Sequence, residues 1–333
     1  FRRVLFRSKG EKMTNLKKIG LTALAGTLAA TTFANAGSMS VSGNAIMEYQ
    51  TTEVDGGSNS VNTTDGFVLN SSLVFSGSGE LDNGMTVSVF QNLFAGAVTS
   101  EGLSLDMGDS GVLHMNRWGY TSGITSIADK IPTAGENVHD DLNTGNHDNP
   151  AVGIAKTQSD GADNLGYNYS GEMFSLSAAT AEVNGAFESS VALTVNAMEG
   201  LSIGYGAGND RPSAALDNDV TTMFATYTMG PVSVGYQVTE IDHQTASSDI
   251  DADHYGISFA VNENLSISYG ENTVDFETST SDEESSGFSA SYTAGSMSFV
   301  LVNNEKLNAA GTSTADSEMV ELKMVMADRK SVV

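Results

Sequence analysis

The chain has 333 residues, 40% of them hydrophobic, with 41 Asp+Glu against 15 Lys+Arg, a formal net charge of −26 and no cysteine. Such acidity excludes a nucleic-acid binder, whose phosphate contacts need a basic surface, and the missing cysteines exclude a disulfide framework. Disorder is excluded as well, because the apolar residues recur in strict alternation rather than being depleted.

Residues 1–12 and 328–333 are set apart first. The codons GAT-CGG-AAG-AGC read Asp328, Arg329, Lys330, Ser331, and the opposite strand of the same DNA word encodes Leu5, Phe6, Arg7 and the start of Ser8. Both ends therefore look like translated sequencing adapter and are kept out of the fold reasoning. From Met13 the chain reads as a secretory signal peptide over 13–36. Lys17 and Lys18 supply the basic start, Ile19 to Ala30 an apolar core too short to span a bilayer, and Ala34-Asn35-Ala36 a cleavage box. The flanking segments hold nine of the 15 basic and two of the 41 acidic residues, so residues 37–327 keep 6 basic and 39 acidic, a net charge of −33.

From residue 37 onward the dominant signal is a period of two. Leu165, Tyr167, Tyr169; Leu201, Ile203, Tyr205; Val232, Val234, Tyr236, Val238; Tyr255, Ile257, Phe259, Val261; and Val320, Leu322, Met324, Met326 are runs in which every second residue is apolar. Ser, Thr, Gly, Asn and Gln lie between them, so each strand has one apolar and one polar face. No helical stretch covers either face. The arrangement that satisfies both is a closed barrel with lipid outside and water inside.

The predicted strands are 39–50, 65–79, 85–94, 99–107, 111–118, 163–170, 172–181, 187–197, 200–208, 219–229, 231–241, 252–261, 264–274, 286–294, 297–305 and 317–327. They number sixteen, an even count as bacterial single-chain barrels require, and their lengths suit about 9–11 residues per tilted crossing. Short turns such as Leu81-Asp82-Asn83-Gly84, Met229-Gly230-Pro231 and Asn262-Glu263-Asn264 alternate with longer polar connections at 51–64, 182–186, 209–218, 242–251, 275–285 and 306–316. Short turns belong on the periplasmic side and long loops outside. Tyr169, Tyr227 and Tyr292 near one level, and Tyr205, Tyr236, Tyr255 and Tyr269 near another, resemble interfacial girdles. One connection breaks the rhythm: about forty residues run from Trp118 to Asn164 without a clear strand. A connection that long inside a compact domain is usually functional.

With these features in place, residues 37–327 resemble the sixteen-stranded general porins of Gram-negative outer membranes. The local matches are Gly79-Glu80-Leu81-Asp82-Asn83-Gly84 as a periplasmic turn and Asn116-Arg117-Trp118-Gly119-Tyr120 leading into the long loop. The resemblance implies a third loop folded into the barrel, a homotrimer in outer-membrane lipid and passive diffusion of small hydrophilic solutes and ions. Two departures stand out: Asn116 where the family often has Gly, and Asp328 where a terminal Phe is usual. The expected trimer contact is the smaller outer face of the early strands, Val41, Ala45, Met47, Leu73 and Phe75.

In the inserted loop Asp129, Glu136, Asp140 and Asp141 are the candidate acidic rim; Arg117 is the candidate wall cation, with Lys130 and Lys156 as weaker ones. For each carboxylate the alternative is a solvated loop charge. With so few basic residues the lumen should favour cations by field focusing. The rivals are a substrate-selective channel of the same fold and a surface barrel used for adhesion. No enzyme motif emerges. Gly204-x-Gly206-x-Gly208 lies in a strand without a following helix, and His114, His139, His147, His243 and His254 show no ligand spacing. No cofactor is expected. The acidic loop tips Asp249, Asp251, Asp253 and Asp282, Glu283, Glu284 could hold Ca²⁺ and bridge to the outer leaflet; solvated loop charge is the alternative.

Overall fold

The computed structural model describes residues 38–55, 65–94, 96–117, 122–138, 163–183, 185–211, 215–245, 248–313 and 315–328. The expected adapter segment 1–12 and signal peptide 13–36, and all of 329–333, lie outside them.

Sixteen antiparallel strands close into a barrel. They are β1 (Ser38–Asp55), β2 (Gly66–Glu80), β3 (Thr86–Phe94), β4 (Ala97–Asp106), β5 (Val112–Arg117), β6 (Asn164–Ser170), β7 (Phe174–Val183) and β8 (Ala186–Met198). The second half is β9 (Leu201–Asp210), β10 (Asn218–Met229), β11 (Val232–Asp242), β12 (Ile250–Ala260), β13 (Leu265–Phe276), β14 (Glu283–Ala294), β15 (Met297–Leu307) and β16 (Asp316–Asp328). Each pairs with its sequence neighbours, and β1 closes on β16 from Gly43–Asp328 to Asp55–Asp316. Every interior strand edge is thereby used, which is what a spanning sheet needs in lipid.

Side chains alternate across the wall as the period of two predicts. Met223, Tyr236, Tyr255, Ile257, Tyr269 and Leu322 are exposed on the outer face, while Phe224, Gln237, His254, Ser268 and Glu321 are buried toward the lumen. The first outward residues from the periplasmic side are apolar on β11 to β15, as in Val232, Val234, Tyr236 and Val238. Only then do carboxylates such as Glu240 appear.

The strands run further toward the outer side than the apolar pattern suggests. β14 begins at Glu283 and β12 at Ile250. Alternation there continues between buried and exposed polar residues, Glu283 in and Glu284 out, which an apolar count does not see. A second difference concerns loop lengths. The stretch 182–186, expected as a long loop, is a tight hairpin in which Val183 faces Ala186. Phe94 faces Ala97 in the same way, and Gly185 (φ 81°) and Gly96 (φ 84°) supply the left-handed turn positions. Asn184-Gly185 was the available sign.

Candidate permeation pathway

The connection from β5 to β6 enters the barrel. A 3₁₀ turn, Gly123–Ile127, is opened by reciprocal bonds between Ser122 and Thr125, and packs on the inner faces of β7, β8 and β9. Gly123 has φ 61°, and a Cβ there would strike Ser190 and Ala179, so only glycine lets the turn sit this close. Ile127 buries itself with Ala192 and Phe224. The inward Gly206 leaves the space, since a Cβ on it would lie 2.8 Å from Ile124 and 2.9 Å from Ile127. The Gly204-x-Gly206-x-Gly208 series is thus inward barrel glycine.

The turn and the loop beyond it follow the wall, held by inward polar side chains of β7, β8, β11, β13 and β15. Gly123 N–H donates to Ser177 Oγ (2.7 Å) and Ile124 N–H to Ser190 Oγ (3.0 Å). Gln237 accepts from Lys130 N–H (3.0 Å) and donates to the Ile127 and Ala128 carbonyls (2.9 and 3.0 Å). Ala134 N–H donates to Ser268 Oγ (2.8 Å), and Asn304 Nδ2 donates to the Asn137 carbonyl (3.2 Å). Buried backbone groups of a loop need such partners, and here the luminal Ser, Gln and Asn residues provide them.

Asp129 is exposed on the loop and accepts a bond from Asn137 Nδ2. Desolvation by its surroundings pushes its carboxyl above the usual range, opposed by the Asn137 bond, the Ile131 N–H and the charge of Lys130. Lys130 is lowered by burial, with Asp129 opposing that shift. Glu136 forms an ion pair with Lys323 of β16, whose Nζ also lies 3.1 Å from the fully buried Glu321. Glu48 of β1 is the cross-strand partner of Lys323. The structure therefore brings Asp129, Lys130 and Glu136 to the loop's luminal run. Asp140, Asp141 and Lys156 lie outside the described residues.

Arg117 corrects the sequence reading. On β5 His114 and Asn116 are buried inward, whereas Met115 and Leu113 are exposed outward. Arg117 shares their parity, so it is on the outer wall, paired with Glu101 (3.6 Å) and Asp163 (3.2 Å). It is not a wall cation of the lumen. The luminal cation that sequence reasoning missed is Lys323, one step out of phase with Leu322 and Met324; that phase was readable. The wall of β1–β5 is uncharged over most of its inner face. Residues 38–116 contain no Lys or Arg, and Ser40 and Ser76 (2.6 Å) and Ser72 and Asn44 (2.5 Å) hydrogen-bond across it.

The calcium candidates are separated by the fold. Glu283 is wholly buried, 3.2 Å from the buried Lys306, and also accepts from Ala310 N–H. Asp251, Asp253 and Glu284 point outward, and Asp249 accepts from His243 N–H (2.8 Å). Among the described residues no three His, Asp or Glu are grouped to hold a metal.

Comparison with known proteins agrees with this architecture. The family model described as Gram-negative porin matches residues 20–302. No curated protein matches the chain. Among solved structures, it is similar to a loop-L8 deletion mutant of OmpT, an outer membrane protein of Vibrio cholerae. That match has TM-score 0.64 and 13% identity, covering 88% of this chain and 100% of that one. A porin refined at 1.8 Å gives TM-score 0.63 and 19% identity over 87% and 100%. A triple mutant of the Rhodopseudomonas blastica porin gives 0.60 and 13% over 87% and 100%. At these identities the likeness is one of fold.

Proposed function

This chain belongs to the Gram-negative porin family, and from that premise we propose that it forms a water-filled, cation-preferring channel for passive diffusion of small hydrophilic solutes and ions. It is an outer-membrane porin by family and fold. The proposal adds export by a cleaved signal peptide over 13–36, assembly as a homotrimer, and a lumen whose field attracts cations. The observation that carries it is the inserted loop. Asp129 and Glu136 are presented on it, Glu48 and Glu321 lie on the wall beside it, and only Lys130 and Lys323 oppose them among the described luminal residues near the loop. Because residues 38–116 carry no basic side chain, the facing wall offers hydroxyls and amides instead of a cationic ladder. Fixed negative charge in a narrow, low-dielectric-walled passage raises the local cation concentration.

The test is single-channel conductance in planar bilayers with a salt gradient. A stable ohmic conductance with a cation-selective reversal potential is expected. Anion selectivity would overturn the cation preference, and a closed lumen without conductance would overturn the channel.

A further inference from the structure

Beneath the inserted loop the lumen holds a cavity of about 340 Å³ against the inner faces of β6 to β10. It lies toward the periplasmic mouth, since Ser170 and Ser175 in its lining are the cross-strand pair flanking the short β6–β7 turn. Lys130 is the single charged residue of that lining. Among the described residues it is also the only Lys or Arg whose side chain forms no ion pair; Asp129 attracts it from a distance. The hydroxyls around it differ from those that carry the loop. Ser177 is engaged by Gly123 N–H and Asn168, and Ser126 by the Gly123 carbonyl (2.7 Å). Ser170, Ser175, Thr194, Ser202 and Thr226, by contrast, use their hydroxyls on no other described residue. They alternate with the outward Leu176, Val195, Ile203 and Tyr227, so these hydroxyls face the water of the lumen. Phe224 and Ile127 close one side with an apolar face.

We propose that this cavity is a binding site for a small hydroxylated carboxylate, the chemistry of a sugar acid, with Lys130 holding the carboxylate. The inference rests on the channel reading and gives that channel a solute class. An ammonium is a compact charge with three donors and no acceptor. One such group suits one carboxylate, and no acid in the lining competes for it. Hydroxyls both donate and accept, so a wall of them matches a solute whose own hydroxyls do the same. An aliphatic acid would displace the water on that wall without replacing its bonds. A neutral polyol would leave the ammonium without an anionic partner, and a doubly charged phosphate would call for a second cation that the lining lacks. Phe224 and Ile127 offer a dry face to the C–H side of the same solute. Glu136 and Glu321 lie outside the lining, on the loop and on β16, so a local hold on one anion coexists with a lumen that is acidic elsewhere.

Potassium gluconate is the probe, with sorbitol as its uncharged counterpart and propionate as a carboxylate without hydroxyls. Full-length protein in mild detergent is titrated with each and read by saturation-transfer NMR. The same protein in planar bilayers is read for conductance in potassium chloride and for current noise on adding gluconate. Gluconate should bind saturably and about tenfold or more tighter than either counterpart, because each lacks one class of hydrogen bond that the site offers. Lys130→Met should lower gluconate binding to the level of sorbitol, and Lys130→Arg should retain most of it. Thr194→Val combined with Thr226→Val should lower it toward propionate. Gluconate binding no tighter than sorbitol or propionate, in wild-type protein that conducts, overturns the site and leaves the channel standing; that comparison needs no variant. Gluconate binding untouched by Lys130→Met overturns the role given to Lys130. Saturable gluconate binding in a protein without conductance overturns the channel and leaves the site.

Discussion

Replacing Asp129 and Glu136 by Asn and Gln should weaken the proposed cation preference by an amount that can be worked from their placement. Both lie on the loop's luminal run, with no Lys or Arg in residues 38–116 on the facing wall. A carboxylate about 7 Å from a permeating ion in water-like surroundings contributes about 0.6 kcal/mol, favouring a cation and opposing an anion equally. Screening over about 10 Å at 0.1 M salt roughly halves this, and the cation-to-anion ratio then changes by about 2–3-fold per carboxylate, or roughly sevenfold for two. At 0.01 M, with a screening length of about 30 Å, the change for two rises to roughly 25-fold. The assay is the reversal potential in a tenfold salt gradient, measured at both ionic strengths for wild type and double variant. Conductance and heat-modifiable mobility should stay near wild type, because no strand residue changes. A double variant with unaltered reversal potential at 0.01 M would refute the reasoning and place the selectivity on Glu48, Glu321 or residues outside the described loop run.

Acidification should erode the preference in two stages. Asp129, with its carboxyl pushed up by desolvation, takes its proton at a higher pH than an ordinary carboxylate and loses its charge first, and Asp129→Asn should abolish only that early stage of a pH-resolved reversal-potential series. Gly206→Leu should push the 3₁₀ turn off the wall into the lumen, since even a Cβ would lie within 2.9 Å of Ile124 and Ile127; single-channel conductance should fall, and an unchanged value would show the loop is not packed there. Lys306→Met should lower the thermal unfolding midpoint, because removing one partner of a buried pair costs about 3–5 kcal/mol, and adding Glu283→Gln should recover part of it. Cysteines placed at Asp282 and Thr312, both exposed, should react with an impermeant reagent on intact cells, whereas Asn83→Cys and Asn264→Cys should not; the reverse pattern would invert the barrel.

The strand count and most strand positions were legible because burial on one face only writes a period of two into the sequence. Legibility ended where both faces became polar. Glu283, Ser285 and Gly287 face inward at the start of β14, but nothing apolar alternates with them, so the apolar pattern alone starts the strand at 286. The inserted run was partly readable. Asp129 and Glu136 stood out as acids in a loop too long to be a mere connection, and the structure places both on that run. Lys323 was lost because the strand around it was read for its apolar members alone.

Arg117 shows why residue type does not settle a pore position. A single arginine next to the inserted loop looks like a wall cation, yet the same rule that found the strands fixes its direction. Leu113 and Met115 face out, two residues apart, and the next residue of that phase is Arg117. A β-strand cannot turn one side chain inward without a bulge, and β5 pairs with β4 in unbroken register from Asp106–Val112 to Glu101–Arg117. The phase therefore outweighs the analogy. Once Arg117 is removed from the lumen, the remaining described cations are Lys130 on the loop, Lys323 between Glu136 and Glu321, Lys306 against Glu283, and Arg211 against Asp217. Three of these four sit on carboxylates, and beside the loop Asp129, Glu136, Glu48 and Glu321 outnumber Lys130 and Lys323, with no Lys or Arg in residues 38–116 of the facing wall. That excess of acid is the physical ground on which the proposed cation preference rests.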